Sequence, residues 1–122
     1  MEFGKVLNIW MSVSYRISIS NGDIMIREFF LGFIKIHILH HASEAPIYGA
    51  EIIKEIRRHG YKVSPGLIYP TLHSLEKRGY LRSKRRIVQG KVRRYYEITE
   101  EGLKMLEESK RRIRELVDEV LG

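Results

Sequence analysis

The stretch SPGLIYPTLHSLEKRGYLRSKRRIVQGKVRRYYEI, from Ser64 to Ile98, decides how this chain folds. It opens as a helix. Ser64 is a good N-cap, and Pro65 is preset for the first helical position. Leu67, Ile68, Thr71, Leu72 and Leu75 recur at helical spacing and form one inner stripe. Pro70 removes one backbone bond and is expected to bend the helix early. Gly79 is the expected stop. Two strands then read from Tyr80 to Arg86 and from Val92 to Ile98, with Gln89-Gly90 at the tip between them.

Upstream, a second helix fits Tyr48 to Arg58 and buries Ile52, Ile53 and Ile56. The gap from His59 to Val63 is short, so the two helices are joined by a tight turn. Before them, Ser43 to Ile47 contains Pro46 and reads as a loop. A long helix from Ile24 to about His41, capped by Asp23 after an Asn21-Gly22 turn, carries Ile26, Phe29, Phe30, Phe33, Ile34, Ile38 and Leu39. Its apolar face is wide, which places it deep in the core or in a subunit interface. Residues Asn8 to Ser20 alternate apolar and polar, the period of a half-buried strand. Downstream, Thr99 caps a last helix that runs to about Leu121, with Glu100 and Glu101 in its first turn.

These readings give a mainly α chain with a small β-hairpin. Three parts are expected: an N-terminal strand-like extension over residues 1–22, a helix-turn-helix unit with a hairpin over 23–99, and a C-terminal helix over 100–122.

The charge supports a polyanionic partner. The chain carries a formal charge of +7, and nine basic residues lie between Lys77 and Arg94 with no acid among them. Taking those nine from the 22 basic residues leaves 13 against 15 acidic ones, so the excess sits in one segment. Solvated faces interleave both signs; this one does not. The absence of cysteine excludes disulfides, thiolate metal sites and a cysteine nucleophile, and fits a reducing cytoplasm. Arg27, Glu28, Lys35 and His37 interrupt the most apolar stretch, so no membrane span and no membrane partner are expected. Glu2 and the polar alternation after Trp10 argue against a cleaved signal peptide.

A helix set by a tight turn can enter the DNA major groove, which is wide enough to admit it. With the apolar stripe inward, Ser64, Gly66, Tyr69, Pro70 and His73 are left on the outer face as candidate DNA contacts. Arg85, Arg86, Lys91, Arg93 and Arg94 surround the hairpin tip and can follow a phosphate strand or enter the minor groove. An enzyme fails on inventory. There is no phosphate-binding glycine loop, no nucleophile set between a base and an orienter, and no cofactor is called for. His37 and His41 stand four apart on one helix face, but no carboxylate pattern near them joins in, so no metal site is expected. The competing reading is an RNA-binding or protein-interaction module, since winged helices serve both roles.

Three segments together resemble the PadR family of winged helix-turn-helix transcription regulators. They are Tyr48-Gly49-Ala50-Glu51-Ile52, the run Ser64 to Leu72 continuing through Leu75-Glu76-Lys77-Arg78-Gly79-Tyr80-Leu81, and Arg94-Tyr95-Tyr96-Glu97-Ile98-Thr99 with Glu101-Gly102. The likeness runs from about Arg27 to the C-terminus. It accounts for Pro70, which helix propensity disfavours. The resemblance implies a winged-helix homodimer that binds a palindromic operator in double-stranded DNA, usually as a repressor. It leaves room for a small-molecule effector without identifying one. It also implies that the C-terminal helix makes the dimer, often against the partner's first helix. Leu106, Ile113, Leu116, Val117 and Val120 are then the expected contact, and the seven-residue spacing of Leu106, Ile113 and Val120 suits it. The segment before Asp23 departs from the family pattern, and the C-terminal region is short, a single helix without aromatic residues.

Overall fold

The computed structural model describes residues 21–122. The expected strand over Asn8 to Ser20 lies outside them. Four helices and three strands follow in order: α1 (Asn21–Glu44), β1 (Ile47–Tyr48), α2 (Gly49–Arg58), α3 (Pro65–Lys77), β2 (Leu81–Val88), β3 (Lys91–Ile98) and α4 (Glu100–Val120). The sheet is antiparallel with the order β1-β3-β2.

The helices form where the apolar spacing placed them, and they meet in one core. Ile34 and Ile38 of α1, Ile52 and Ile56 of α2, Ile68 and Leu72 of α3, Leu81 of β2 and Leu106 of α4 are all fully buried. Thr71, the polar member of the α3 stripe, returns its hydroxyl to the Leu67 carbonyl at 2.6 Å, which removes the cost of burying it unpaired. The helix runs through Pro70 without a break.

Three local readings are corrected. Asn21 and Gly22 already lie in α1, where a turn and an Asp23 cap were expected. An Asn-Gly pair makes a tight turn between paired strands; here a helix follows, and both residues take its conformation at a cost in propensity. Second, Ile47 and Tyr48, expected as the end of a loop and the start of a helix, form a strand paired with Tyr96 and Tyr95. Two residues are too few to show a period of two. Third, Ser64 has the extended backbone of an N-cap, but its hydroxyl makes no capping bond. The Leu67 N–H, which such a hydroxyl would take, donates to the Ser64 carbonyl at 3.0 Å.

Two junctions position the hairpin. At the end of α3, the Tyr80 N–H reaches the Leu75 carbonyl (3.0 Å) and the Gly79 N–H the Glu76 carbonyl (2.9 Å), the paired bonds of a Schellman stop. Glu76 then accepts the Ser83 N–H at 2.6 Å, which fixes the departure of β2. The second junction is at Thr99. Its hydroxyl donates to the Gly79 carbonyl (2.5 Å) and accepts from the Gly102 N–H (3.0 Å). Gly102 lies so close to the chain before β2 that a Cβ there would sit 2.2 Å from the Tyr80 carbonyl oxygen and 2.6 Å from Ile98 Cγ1. Backbone cannot yield as a flexible side chain can. Gly102→Ala is therefore expected to destabilise the fold by about 2 kcal/mol or more, read as a lower urea midpoint at unchanged m-value. Wild-type stability would show that the junction relaxes freely.

Candidate nucleic-acid interface

Between α2 and α3 the turn is held by Arg57, whose Nε donates to the Val63 carbonyl at 2.9 Å. With the turn fixed, the buried stripe of α3 sets its outer face. Ser64, Gly66, Tyr69, Pro70 and His73 are all exposed on it.

Tyr69 is 48% exposed, and its ring lies on the first residue of α2. A Cβ at Gly49 would come within 2.2 Å of Tyr69 Cε1. The glycine thus lets the hydroxyl end of the ring rest against the start of α2. Gly49→Ala is expected to displace this ring; a changed Tyr69 aromatic chemical shift, with α3 still folded, checks it.

The hairpin is a two-residue one. Gln89 and Gly90 both have positive φ (52° and 76°), the signature of a type I′ turn, whose twist matches that of the strands. The register places Arg85 opposite Arg94 and Arg86 opposite Arg93. Like charges directly opposed destabilise a sheet, so the wing carries a cost that an anion would relieve. Nearer its base, Arg82 and Lys84 share Glu97, at 3.2 and 3.1 Å, which offsets one of their two charges. Among the described residues, Arg85, Arg86, Lys91, Arg93 and Arg94 form no salt bridge. Four of the five basic residues of α4 differ. Lys104, Lys110, Arg111 and Arg112 all pair with glutamates of their own helix. The outer wing thus gathers five basic side chains that form no salt bridge among the described residues.

The wing has two faces. Leu81, Ile98 and Tyr96 line the one that reaches the core, and outward along it come Arg85 with Arg94, then Ile87 with Val92. Ile87 and Val92 are 77% and 67% exposed. The other face carries Tyr95, Arg86 and Arg93. There Tyr48 and Tyr95 meet edge to face at 5.3 Å. The Arg93 guanidinium lies 4.5 Å from the centre of the Tyr48 ring, and that of Arg86 5.3 Å from the Tyr95 ring. Stacking on an aromatic face holds a guanidinium in place without neutralising it.

The sequence reading missed Tyr48, Tyr95 and Gly49. Aromatic residues interleaved with the basic run, Arg94-Tyr95-Tyr96, gave a signal for Tyr95. Tyr48 had none, because it joins the wing only through β1. The structure brings Tyr69 of α3 and Arg93 and Arg94 of the wing to one groove, with Tyr48 and Gly49 on its floor. Arg85, Arg86 and Lys91 are exposed further along the wing, and Arg93 is half-buried against its tyrosine.

The remaining candidate region is α4. Leu106 is only 1% exposed and spends its surface on the chain's own core. It offers nothing to a partner, which corrects its expected place in a dimer contact. The heptad spacing marked its helix face but not where along α4 the core stops. Ile113 and Val117 are half-buried, while Leu116 and Val120 are exposed, Val120 at 66%. Ile24, Met25 and Phe29 near the start of α1 are exposed as well. No helix among the described residues is long and apolar enough to cross a membrane.

Comparison with known proteins places this geometry. Residues 38–108 match the transcriptional regulator PadR-like family. The chain is 49% identical over 96 residues to the transcriptional regulator Rv3488 of Mycobacterium tuberculosis, covering 79% of this chain and 90% of that one. Among solved structures, it resembles a PadR family transcriptional regulator from Eggerthella lenta with a TM-score of 0.70 and 32% identity, covering 79% of this chain and 85% of that one. It is also similar to a PadR-like transcriptional regulator from Bacillus cereus, with a TM-score of 0.67 and 31% identity over 77% of this chain and 96% of that one.

Proposed function

This chain belongs to the PadR-like family of transcriptional regulators, and we propose that it works as a homodimeric repressor, gripping a palindromic operator through α3 and the wing. The observation that carries the reading is the outer wing. Its opposed arginines, Arg85 with Arg94 and Arg86 with Arg93, form no salt bridge among the described residues, and Arg93 and Arg94 lie beside Tyr69 of α3. A duplex supplies what they lack, since phosphates dominate the affinity of such interfaces.

In this reading α3 enters the major groove and presents Ser64, Gly66, Tyr69, Pro70 and His73. The N-terminus of α3, where Pro65 has no N–H to offer and Gly66 exposes its backbone, approaches a phosphate. Tyr69 donates its hydroxyl to the backbone, and His73 reaches a base edge or a phosphate. Arg93 and Arg94 follow the phosphate strand from the groove between wing and helix, while Arg85, Arg86 and Lys91 hold it further out. Two copies, joined along α4, present two such grips to the two half-sites. The protein acts in the cytoplasm, where the DNA is, and performs no catalysis.

The test is competition. Sequences selected from a random duplex pool are expected to yield a palindrome bound at least ~1000-fold more tightly than unrelated duplex. Structured RNA of equal charge should compete no better than that unrelated duplex. Equal affinity for RNA would sink the DNA reading and favour an RNA-binding winged helix. Repression itself is read from a reporter placed behind the selected palindrome, whose expression should rise when the protein is absent.

A further inference from the structure

Apart from the DNA-binding surface, the end of α1 crosses the end of α2, and the sequence reading saw only half of what meets there. Helical spacing of four puts His37 and His41 on one face of α1. The same spacing puts Glu55 on α2 and His59, its cap, on one face as well. Docking turns the two faces toward each other. One donor atom each from His41, Glu55 and His59 can be chosen so that all three lie within 4.8 Å of one another. His59 Nε2 stands 3.6 Å from Glu55 Oε1.

We propose that His41, Glu55 and His59 form a binding site for a divalent transition-metal ion of the zinc class. Two imidazoles and one carboxylate are the donors such an ion selects, whereas magnesium and calcium prefer all-oxygen sites. Bonds of about 2.1 Å in a tetrahedral arrangement require donors about 3.4 Å apart. Closing from 4.8 Å asks a little over ~1 Å of movement, shared among three partly exposed side chains. The fourth corner is left to water.

The surroundings suit a cation. Glu44 lies 3.9 Å from His41 Nδ1 and adds a second carboxylate nearby. On the inner side, His37 is packed against Phe33 and Tyr61, with ring centroids 4.7 and 5.5 Å away. Its Nδ1 is buried with no hydrogen-bond partner. One cation does compete: Arg58 holds Glu55 with Nη2 at 2.5 Å and Nε at 3.3 Å. Arg58 is 68% exposed, so its guanidinium has open solvent to swing into when an ion takes its place.

The site would tie α1 to the start of the turn that Arg57 fastens. Its test uses the full chain without a histidine tag. Zinc titrated against a chromophoric chelator is expected to bind at one ion per chain with Kd of about 1 µM or tighter. The melting temperature should rise by about 5 °C when zinc is well above Kd. His41→Ala, His59→Ala and Glu55→Gln should each weaken binding at least ~10-fold. His73→Ala, remote on the outer face of α3, should not. Cobalt in the wild type should give the visible absorption of a four-coordinate nitrogen–oxygen site. Glu55→Gln keeps the side-chain shape, so it stays informative if a histidine variant fails to fold. Absence of binding at ~100 µM zinc, or equal affinity in Glu55→Gln, would overturn the site.

Discussion

Asp in place of both Ile113 and Val120 is expected to leave a folded monomer whose operator affinity falls at least ~100-fold. The fold should survive because neither residue belongs to the core, whose α4 member is Leu106, two turns before Ile113. The contact should not survive. Beyond Leu106, α4 carries Ile113, Leu116, Val117 and Val120 as half-covered or exposed apolar residues on an otherwise charged helix, and two carboxylates in such a stripe would be buried unpaired. The loss of affinity follows from geometry. A dimer binds the second half-site as an intramolecular event, at an effective concentration that monomers in solution cannot match. Sedimentation velocity gives the first result and fluorescence anisotropy on the palindrome the second. A variant that stays dimeric at micromolar concentration places the interface elsewhere.

The other large effect is expected at the wing. Arg93→Ala with Arg94→Ala should weaken binding to every duplex, related or not, by about 10–100-fold at physiological salt. The slope of log K against log salt should become shallower by about 2, because each phosphate contact contributes close to one unit. The ratio between operator and unrelated DNA should change little, since contacts to phosphate carry no sequence information. The two arginines are not equivalent. Arg94 is exposed, whereas Arg93 is held over the Tyr48 ring, so Tyr48→Ala alone should reproduce part of the loss by releasing Arg93. An unchanged salt slope in the double variant would remove the wing from the interface.

Most of the fold could be read directly from residue spacing. The α3 stripe of Ile68, Thr71, Leu72 and Leu75 is buried as its period required, and the outer face was found by subtraction. The strands on either side of Gln89-Gly90 extend two residues further on the first side and one on the second than their patterning indicated. Extended backbone continues as far as the turn allows, and Val88 and Lys91 are its last pair. The wide apolar face of α1 was correctly read as needing cover. Its C-terminal half finds that cover in the core, while Ile24, Met25 and Phe29 remain exposed.

The misses share a physical cause. Periodicity records which face of an element is buried; it does not record which other element arrives there. Ile47 and Tyr48 become a strand only because β3 lies beside them. Leu106 leaves the candidate dimer contact because α4 docks on α1 and the sheet before it runs free. Glu55 and His59 meet His41 because two helices cross, and nothing within either helix states the crossing. The sequence by itself determined the order of elements, the inward stripe of each helix and the concentration of charge in one hairpin, all of which follow from local spacing. Only the tertiary structure decided which arginine rests on which tyrosine, where along α4 the core ends, and which side chains gather at the α1–α2 crossing. Those depend on docking between segments far apart in the chain.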